Sequence, residues 1–401
     1  MFIRLAWRSL LNRKGSVALT FLAISVSVFV LLGIEHIRQQ AKFNFNNTVS
    51  GVDLIVGART GDINLLLYSA FRLGSATNNV TWESYQEIAK KSKVAWTIPI
   101  SLGDSHKGYR VMGTTIDYFK HFRYGQKKAL GFTHGEAFSE VFDVVLGAVV
   151  ARKLKYQLND ELVLAHGIAS TSFSLHDETP FRVVGILKPT GTPVDYTLHV
   201  SLSGIEAIHS NLALYDVTPK TITAFMVGLH SKMATFHMQR EINDYRAEPL
   251  SAILPGVTLT QLWQMMTIME NTLMLVSALV LLASLLGLSA MLLTSIRERQ
   301  REIAIMRSLG APPLFVFMLI QTEALLITLA SSVFALLLLF VSLLCFQNFL
   351  ADSFSLSIST YVLDKNILYL LLSIIISALV ISLIPAISAY SSALQKTLND
   401  V

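Results

Sequence analysis

Ten histidines raise the first chemical question, since an imidazole can ligate a metal or carry a proton near neutral pH. All lie between His36 and His237, and no two share the His-x-x-x-His spacing of a helical metal pair. The single cysteine, Cys345, stands in an apolar run, so no internal disulfide can form. His176-Asp177-Glu178 is a polar turn with no partner residue beside it. Gly-x-Ser-x-Gly, His-Glu-x-x-His and Gly-x-x-x-x-Gly-Lys-Ser/Thr are all missing. Elbow-type hydrolysis, zinc peptidase chemistry and P-loop ATP hydrolysis therefore have no signature in this chain. The histidines read as scattered surface residues. The chain reads as a non-enzyme with no catalytic residue, cofactor or metal of its own.

Two other constellations carry charge into apolar surroundings. Glu323 is an acid well inside an apolar run, about nine residues or ~13 Å along a helix. An intramembrane carboxylate is a candidate for function. With no second acid inside the run to relay a proton, pairing with an arginine of the preceding loop is the favoured reading. That loop, Ser295–Pro313, carries Arg297, Arg299, Arg301 and Arg307, with Glu298 and Glu302 among them. Three-residue spacing lets Glu298 meet Arg301, and Arg299 meet Glu302, on one helix. Ile303, Met306 and Leu309 form a short apolar stripe, Gly310 suits a left-handed cap, and Pro312 and Pro313 end the helix. Such a helix either fixes topology as a positive-inside anchor or offers a docking face.

The elements that must position these residues are mostly membrane spans. The chain has 401 residues, 52% hydrophobic and only 15% charged, with a mean hydropathy of +0.53. A soluble domain is nearer a quarter charged. The net charge of +5 comes with arginines gathered at span ends, which points to topology and away from nucleic acid. Residues 1–14 form an interfacial helix with Trp7 at headgroup depth, and 15–38 an uncleaved first span. Residues 39–266 form a mixed α+β domain outside the membrane. Within it, Val52–Val56, Val141–Leu146, Phe181–Leu187 and Thr221–Leu229 read as strands, while Thr81–Lys93 and Met233–Arg246 read as helices. Asn159-Asp160 marks a turn, since Asn tolerates the left-handed region. Residues 267–296 are the second span, 297–313 the inner helix, 314–346 the third span, 347–366 a short outer loop, 367–390 the fourth span and 391–401 a tail. Met265, Met266, Met269 and Met274 gather where the outside domain meets the second span; helix packing explains them most simply. The charge rule puts both chain ends and the arginine-rich loop in the cytoplasm.

The run Arg297-Glu-Arg-Gln-Arg-Glu-Ile-Ala-Ile-Met-Arg-Ser-Leu-Gly-Ala311 resembles the inner-loop signature of FtsX-like, or MacB/LolC-like, ABC transporter permeases. It follows the second of four spans, as in that family. Leu10-Leu-Asn-Arg-Lys and Thr20–Val30 are similar to the family's first helix and span. Val144-Val-Leu-Gly, Ala151-Arg-Lys-Leu, Asn159-Asp160 and Phe181-Arg-Val-Val-Gly-Ile-Leu are similar to its outside core, and Ile384-Pro-Ala-Ile-Ser-Ala to its C-terminal end. The chain departs where the family usually has Gly-Asp in place of Asn159-Asp160, and in a tail that lacks arginines at Tyr390, Ser391 and Ser392.

The resemblance implies a four-helix membrane fold with a large extracytoplasmic α+β core domain of MacB-like type, in the bacterial inner membrane. It implies a type VII, mechanotransmitting permease subunit that couples a separate cytoplasmic ATPase to export or release of a lipoprotein, peptide, haem or drug-like substrate. ATP and Mg would be bound by that ATPase. Other implied partners are a second permease copy, membrane lipid, and a periplasmic adaptor or lipoprotein, with no nucleic acid. Coupling would rest on Arg297, Arg299, Arg301, Glu302, Ile303, Met306, Arg307, Leu309 and Gly310. A sensing complex of the same architecture that transports nothing stands as the alternative.

Overall fold

The computed structural model describes residues 2–11, 13–167, 179–209, 218–354, 359 and 361–398, with backbone alone at 2–5, 307, 347–354 and 392–398. The polar turn His176–Glu178 and residues 399–401 of the tail lie outside them. The chain divides into two compact units. One comprises residues 1–40, 267–348 and 358–401, and the other residues 41–266 and 349–357.

The first unit is helical. Among the described residues, four helices that lie wholly or mostly in it are long and apolar enough to cross a membrane: Lys14–Thr48, Pro255–Glu298, Pro313–Phe346 and Lys365–Ser391. Leucine, isoleucine and valine recur at three- and four-residue steps and fill a shared core. Ile24, Val28 and Leu31 come from the first span and Leu281, Leu285, Leu288 and Leu292 from the second. Ile320, Ala324 and Ile327 come from the third, and Ile367, Leu371, Ile374 and Ala378 from the fourth. Hydroxyls reinforce the packing: Ser27 and Ser284 lie 2.7 Å apart, and Ser331 donates to the Phe21 carbonyl at 3.2 Å. Leu275, Leu279, Leu282 and Leu286 turn outward on the second span.

Several helices outrun the spans expected from the sequence. The first is unbroken over Lys14–Thr48 and the second over Pro255–Glu298, 35 and 44 residues. At 1.5 Å per residue these are about 53 and 66 Å long, against a hydrocarbon thickness of about 30 Å. The reason is local. No glycine or proline falls between Gly33 and Gly51, and only Gly287 interrupts the second run after its opening Pro255-Gly256. Likewise the third helix continues to Phe354, into the stretch expected as a loop, because neither breaker occurs between Pro313 and Phe354. The fourth span differs in the other sense. It divides at Ser382 into Lys365–Ile381 and Leu383–Leu398. Pro385 lies four residues beyond Ile381 and cannot donate to its carbonyl, so the ladder breaks there. Ser382 donates its hydroxyl to Gln321 Oε1 at 2.9 Å, tying the break to the third span.

The second unit is α+β. Its eleven-stranded sheet runs, edge to edge, Leu250–Ile253, Leu54–Ala58, Ala224–Leu229, Val94–His106, Tyr109–Thr114, Thr197–Ser201, Asp143–Leu146, Phe181–Leu187 and Phe132–Gly135. The pairs Tyr109–Thr114 with Thr197–Ser201, and Asp143–Leu146 with Phe181–Leu187, are parallel. Two short strands complete it: Ala165–His166 pairs with Val94–His106, and Glu161–Leu162 with Phe181–Leu187. Period-two alternation sends neighbours to opposite faces. Ile55 enters one apolar core with Tyr68, Ile98 and Tyr118, while Leu54 and Val56 enter another with Met238 and Ile242. Val144, Leu146, Phe181 and Val183 build a third.

The expected strand at Phe181–Leu187 is present over those residues, and Thr81 caps a helix over Trp82–Ala89 by accepting from the Ser84 amide. Asn159 has φ +70°, as its turn requires. The longest strand, Val94–His106, was not legible, because Pro99 stands inside it. The loop before Thr197 is rigid for a reason beyond its prolines: buried Asp195 accepts from the amides of Thr190 and Gly191 at 2.8–3.0 Å.

Candidate functional site

The arginine-rich segment is not one helix. The long second span ends at Glu298, and a separate helix spans Gln300–Ser308, with Arg299 at the joint. Arg297 therefore belongs to the end of the span and is exposed. Beyond the short helix, Gly310 has φ +94°, and the Ala311 amide donates back to the Met306 carbonyl at 3.0 Å. That six-to-one bond is the Schellman closure, and it needs a residue without Cβ strain at Gly310.

Arg299 is the centre of the arrangement. Its Nε donates to Glu302 Oε2 at 2.6 Å, within the short helix. Its Nη1 lies 3.1 Å from Glu323 Oε1 on the third helix and also donates to Ser9 Oγ on the N-terminal helix. Glu323 is almost fully buried, so one guanidinium joins three helices around a buried carboxylate. Glu298 pairs with Arg13 at 3.5 Å, where the sequence had offered Arg301; the break at Arg299 takes Glu298 out of the short helix. Arg13 also donates to the Ser295 carbonyl at 2.8 Å.

The apolar residues of the short helix divide by face. Ile303 is half-buried and packs on the bundle core, and Met306 is half-buried too. Leu309 is 82% exposed and Ile305 60% exposed. Arg301 and Glu302 are exposed beside them, and the Arg307 side chain lies outside the described residues. So the stripe read from the sequence turns mostly inward. The outward apolar surface is Leu309 with Ile305, a residue the three-residue stripe had skipped.

At the far end of the spans, Arg38 lies 2.8 Å from Glu35 and 3.7 Å from Glu270 on the second helix. Within the α+β unit, the continuations of the same two helices meet again, Phe45 edge-on to Trp263 at 5.5 Å.

Comparison with known families identifies this architecture. A model described as the MacB-like periplasmic core domain matches residues 17–245, and one described as the FtsX-like permease C-terminal matches residues 274–394. The chain belongs to the MacB-like, FtsX-like permease family. No curated protein matches this FtsX-like permease. Solved structures similar to it include the periplasmic region of MacB from Actinobacillus actinomycetemcomitans, 12% identical with a TM-score of 0.36, covering 54% of this chain and 94% of that one. Another is the extracellular domain of the noncanonic ABC-type transporter YknZ from Gram-positive bacteria, 14% identical with a TM-score of 0.31, covering 50% of this chain and 98% of that one.

The permease also holds a cluster that spacing along the chain did not show. Asp104, His166 and His209 converge: His166 Nδ1 is 3.2 Å and His209 Nε2 3.3 Å from Asp104 Oδ1, and the two ring nitrogens are 3.1 Å apart. The reading of scattered histidines is corrected at this point. The residues are far apart in sequence, and strand register brings them together, His166 standing opposite Asp104 in the ladder. Hydrogen bonding to Asp104 raises the His209 pKa against the opposing effect of burial.

Proposed function

We propose that this chain is the permease subunit of an ATP-binding-cassette transporter whose ATPase is a separate polypeptide. The observation that carries the reading is one continuous rod. The helix Pro255–Glu298 begins in the α+β unit and ends beside Arg299, where the short helix starts. A displacement of the short helix is passed to that rod by the covalent joint, and to the third helix by the Arg299–Glu323 pair. Ile305 and Leu309 supply the apolar contact that a groove on an ATPase would take, and the exposed Arg297 and Arg301 suit an acidic rim.

In this reading the Gln300–Ser308 helix faces the cytoplasm of a bacterial inner-membrane protein and residues 39–266 lie outside. Two copies, or one copy and a related chain, complete the permease, with outward leucines of the second span facing lipid or the second copy. The ATPase binds ATP and Mg. Its closure tilts the long helices and reshapes the α+β unit, which expels or releases substrate on the outer side.

Purification of the full chain from native membranes tests this. The expected result is a co-purifying ABC ATPase, with ATP changing the distance between spin labels placed in the α+β unit. A chain that recruits no ATPase contradicts the proposal. One that recruits an ATPase and shows the movement, yet transports nothing, is the sensing complex.

A further inference from the structure

We propose that Asp104, His166 and His209 form a binding site for a borderline divalent transition-metal ion of the Zn2+ class. The geometry is the first argument. Two imidazoles and a carboxylate are the ligand set such an ion takes, at metal–ligand distances of about 2.0–2.2 Å. Ligand atoms at two corners of a tetrahedron with bonds of that length stand about 3.3 Å apart. The three atoms already stand 3.1, 3.2 and 3.3 Å from one another. They form one face of the coordination polyhedron, and an ion seated on it has a fourth position for water or another oxygen ligand.

The second argument is the state of the rings. His209 Nδ1 donates to the Ile205 carbonyl, one turn back on its own helix, at 2.8 Å. In the neutral imidazole that bond puts the proton on Nδ1 and leaves the Nε2 lone pair aimed at Asp104 Oδ1 and His166 Nδ1. A lone pair facing a carboxylate oxygen at 3.3 Å is repulsive unless a shared proton or a metal ion sits between them. A carbonyl acceptor behind a ligating histidine is also the usual outer support of a metal site.

The third argument is burial and support. Asp104 is 2% exposed, and among the described residues its ion-pair partners are the two histidines, with no lysine or arginine. A buried carboxylate without a fixed cation calls for one. Three separate elements are held in place around it. His166 is held by the ladder with Asp104 and by the Gly167 amide donating to the Gly103 carbonyl at 3.0 Å, with Gly167 at φ +88°. His209 ends the helix Leu202–His209, whose Ile205 belongs to an apolar core. Asp104 lies in the long central strand.

The test uses the full chain purified in detergent, stripped with chelator and titrated with Zn2+. Co2+ serves as the spectroscopic probe. The expected result is one equivalent of Zn2+ per chain, competing with Co2+ that shows the intense visible bands of four-coordinate geometry. His166→Ala removes an exposed side chain and should weaken binding at least ~100-fold, as should Asp104→Asn. His237→Gln, at a surface pair with Glu241, should leave it unchanged. No stoichiometric Zn2+, or equal affinity in His166→Ala, overturns the proposal and leaves a proton as the bridging cation. If Asp104→Asn fails to fold, the His166→Ala comparison decides alone.

Discussion

Arg299 Nη1 lies 3.1 Å from Glu323 Oε1, and through this pair the short helix after the second span is fixed to the third. Both side chains are largely buried, 16% and 4% exposed. Removing one partner from a buried pair leaves the other charge uncompensated, at a cost of about 3–5 kcal/mol. Arg299→Met and Glu323→Met should each lower the melting temperature of the purified chain sharply. The double variant should lose much less than the sum of the two. A strictly additive cycle would show that the pair is not coupled.

Gly310 closes the short helix at φ +94°, and among the described residues no heavy atom beyond its chain neighbours stands within 4 Å of a Cβ placed there. The obstacle to a side chain is therefore backbone strain and not space. Gly310→Ala should cost about 1–2 kcal/mol, and Gly310→Asn less, since Asn tolerates the left-handed region. Thermal unfolding of the two variants should rank them in that order. An Ala variant as stable as wild type would remove the Schellman closure from the account.

His199 gives the α+β unit a pH dependence of known sign. Its ring is fully buried, stacks 5.2 Å from Tyr118 and donates from Nδ1 to the Val145 carbonyl at 3.3 Å. Burial, together with the nearby Arg72 charge, pushes its pKa down from 6.5 to about 3. The unfolded chain binds a proton below about pH 6.5 that the folded chain refuses. This contribution is intact above that pH and declines as pH falls toward 3, by up to about 1.4 kcal/mol per pH unit. Melting curves of the full chain between pH 7.5 and 5 should show the decline, and His199→Phe should flatten it. An unchanged slope in the variant would place the dependence elsewhere.

The membrane half was legible because its signals are local. Apolar runs, the arginine cluster and Gly310 all act within a few residues of where they stand. The helix ends were less so: Pro385 broke the fourth span, while the lack of a breaker after Gly33 and Pro313 carried two others past their expected limits. The inner helix starts later than its sequence pattern expects, because nothing in Glu298–Gln300 announces a joint; Arg299 there pairs with Glu323 and Ser9. In the α+β unit, Phe181–Leu187 followed from alternation, whereas Val94–His106 was hidden by Pro99. The convergence of Asp104, His166 and His209 depends on register between distant strands, which no spacing rule along the chain reports.

The most direct measurement of the central claim is ATPase co-purification with Ile305→Asp/Leu309→Asp. Both side chains are exposed, Ile305 on the Gln300–Ser308 helix and Leu309 just after it, so membrane insertion and the α+β fold should be retained. Losing two apolar anchors from a docking face should weaken the complex at least ~30-fold. Recovery of a clearly substoichiometric ATPase, with normal protein level and melting behaviour, is the result predicted here. Full recovery of the ATPase with the double variant would contradict the assignment of this helix as the point where force enters the permease.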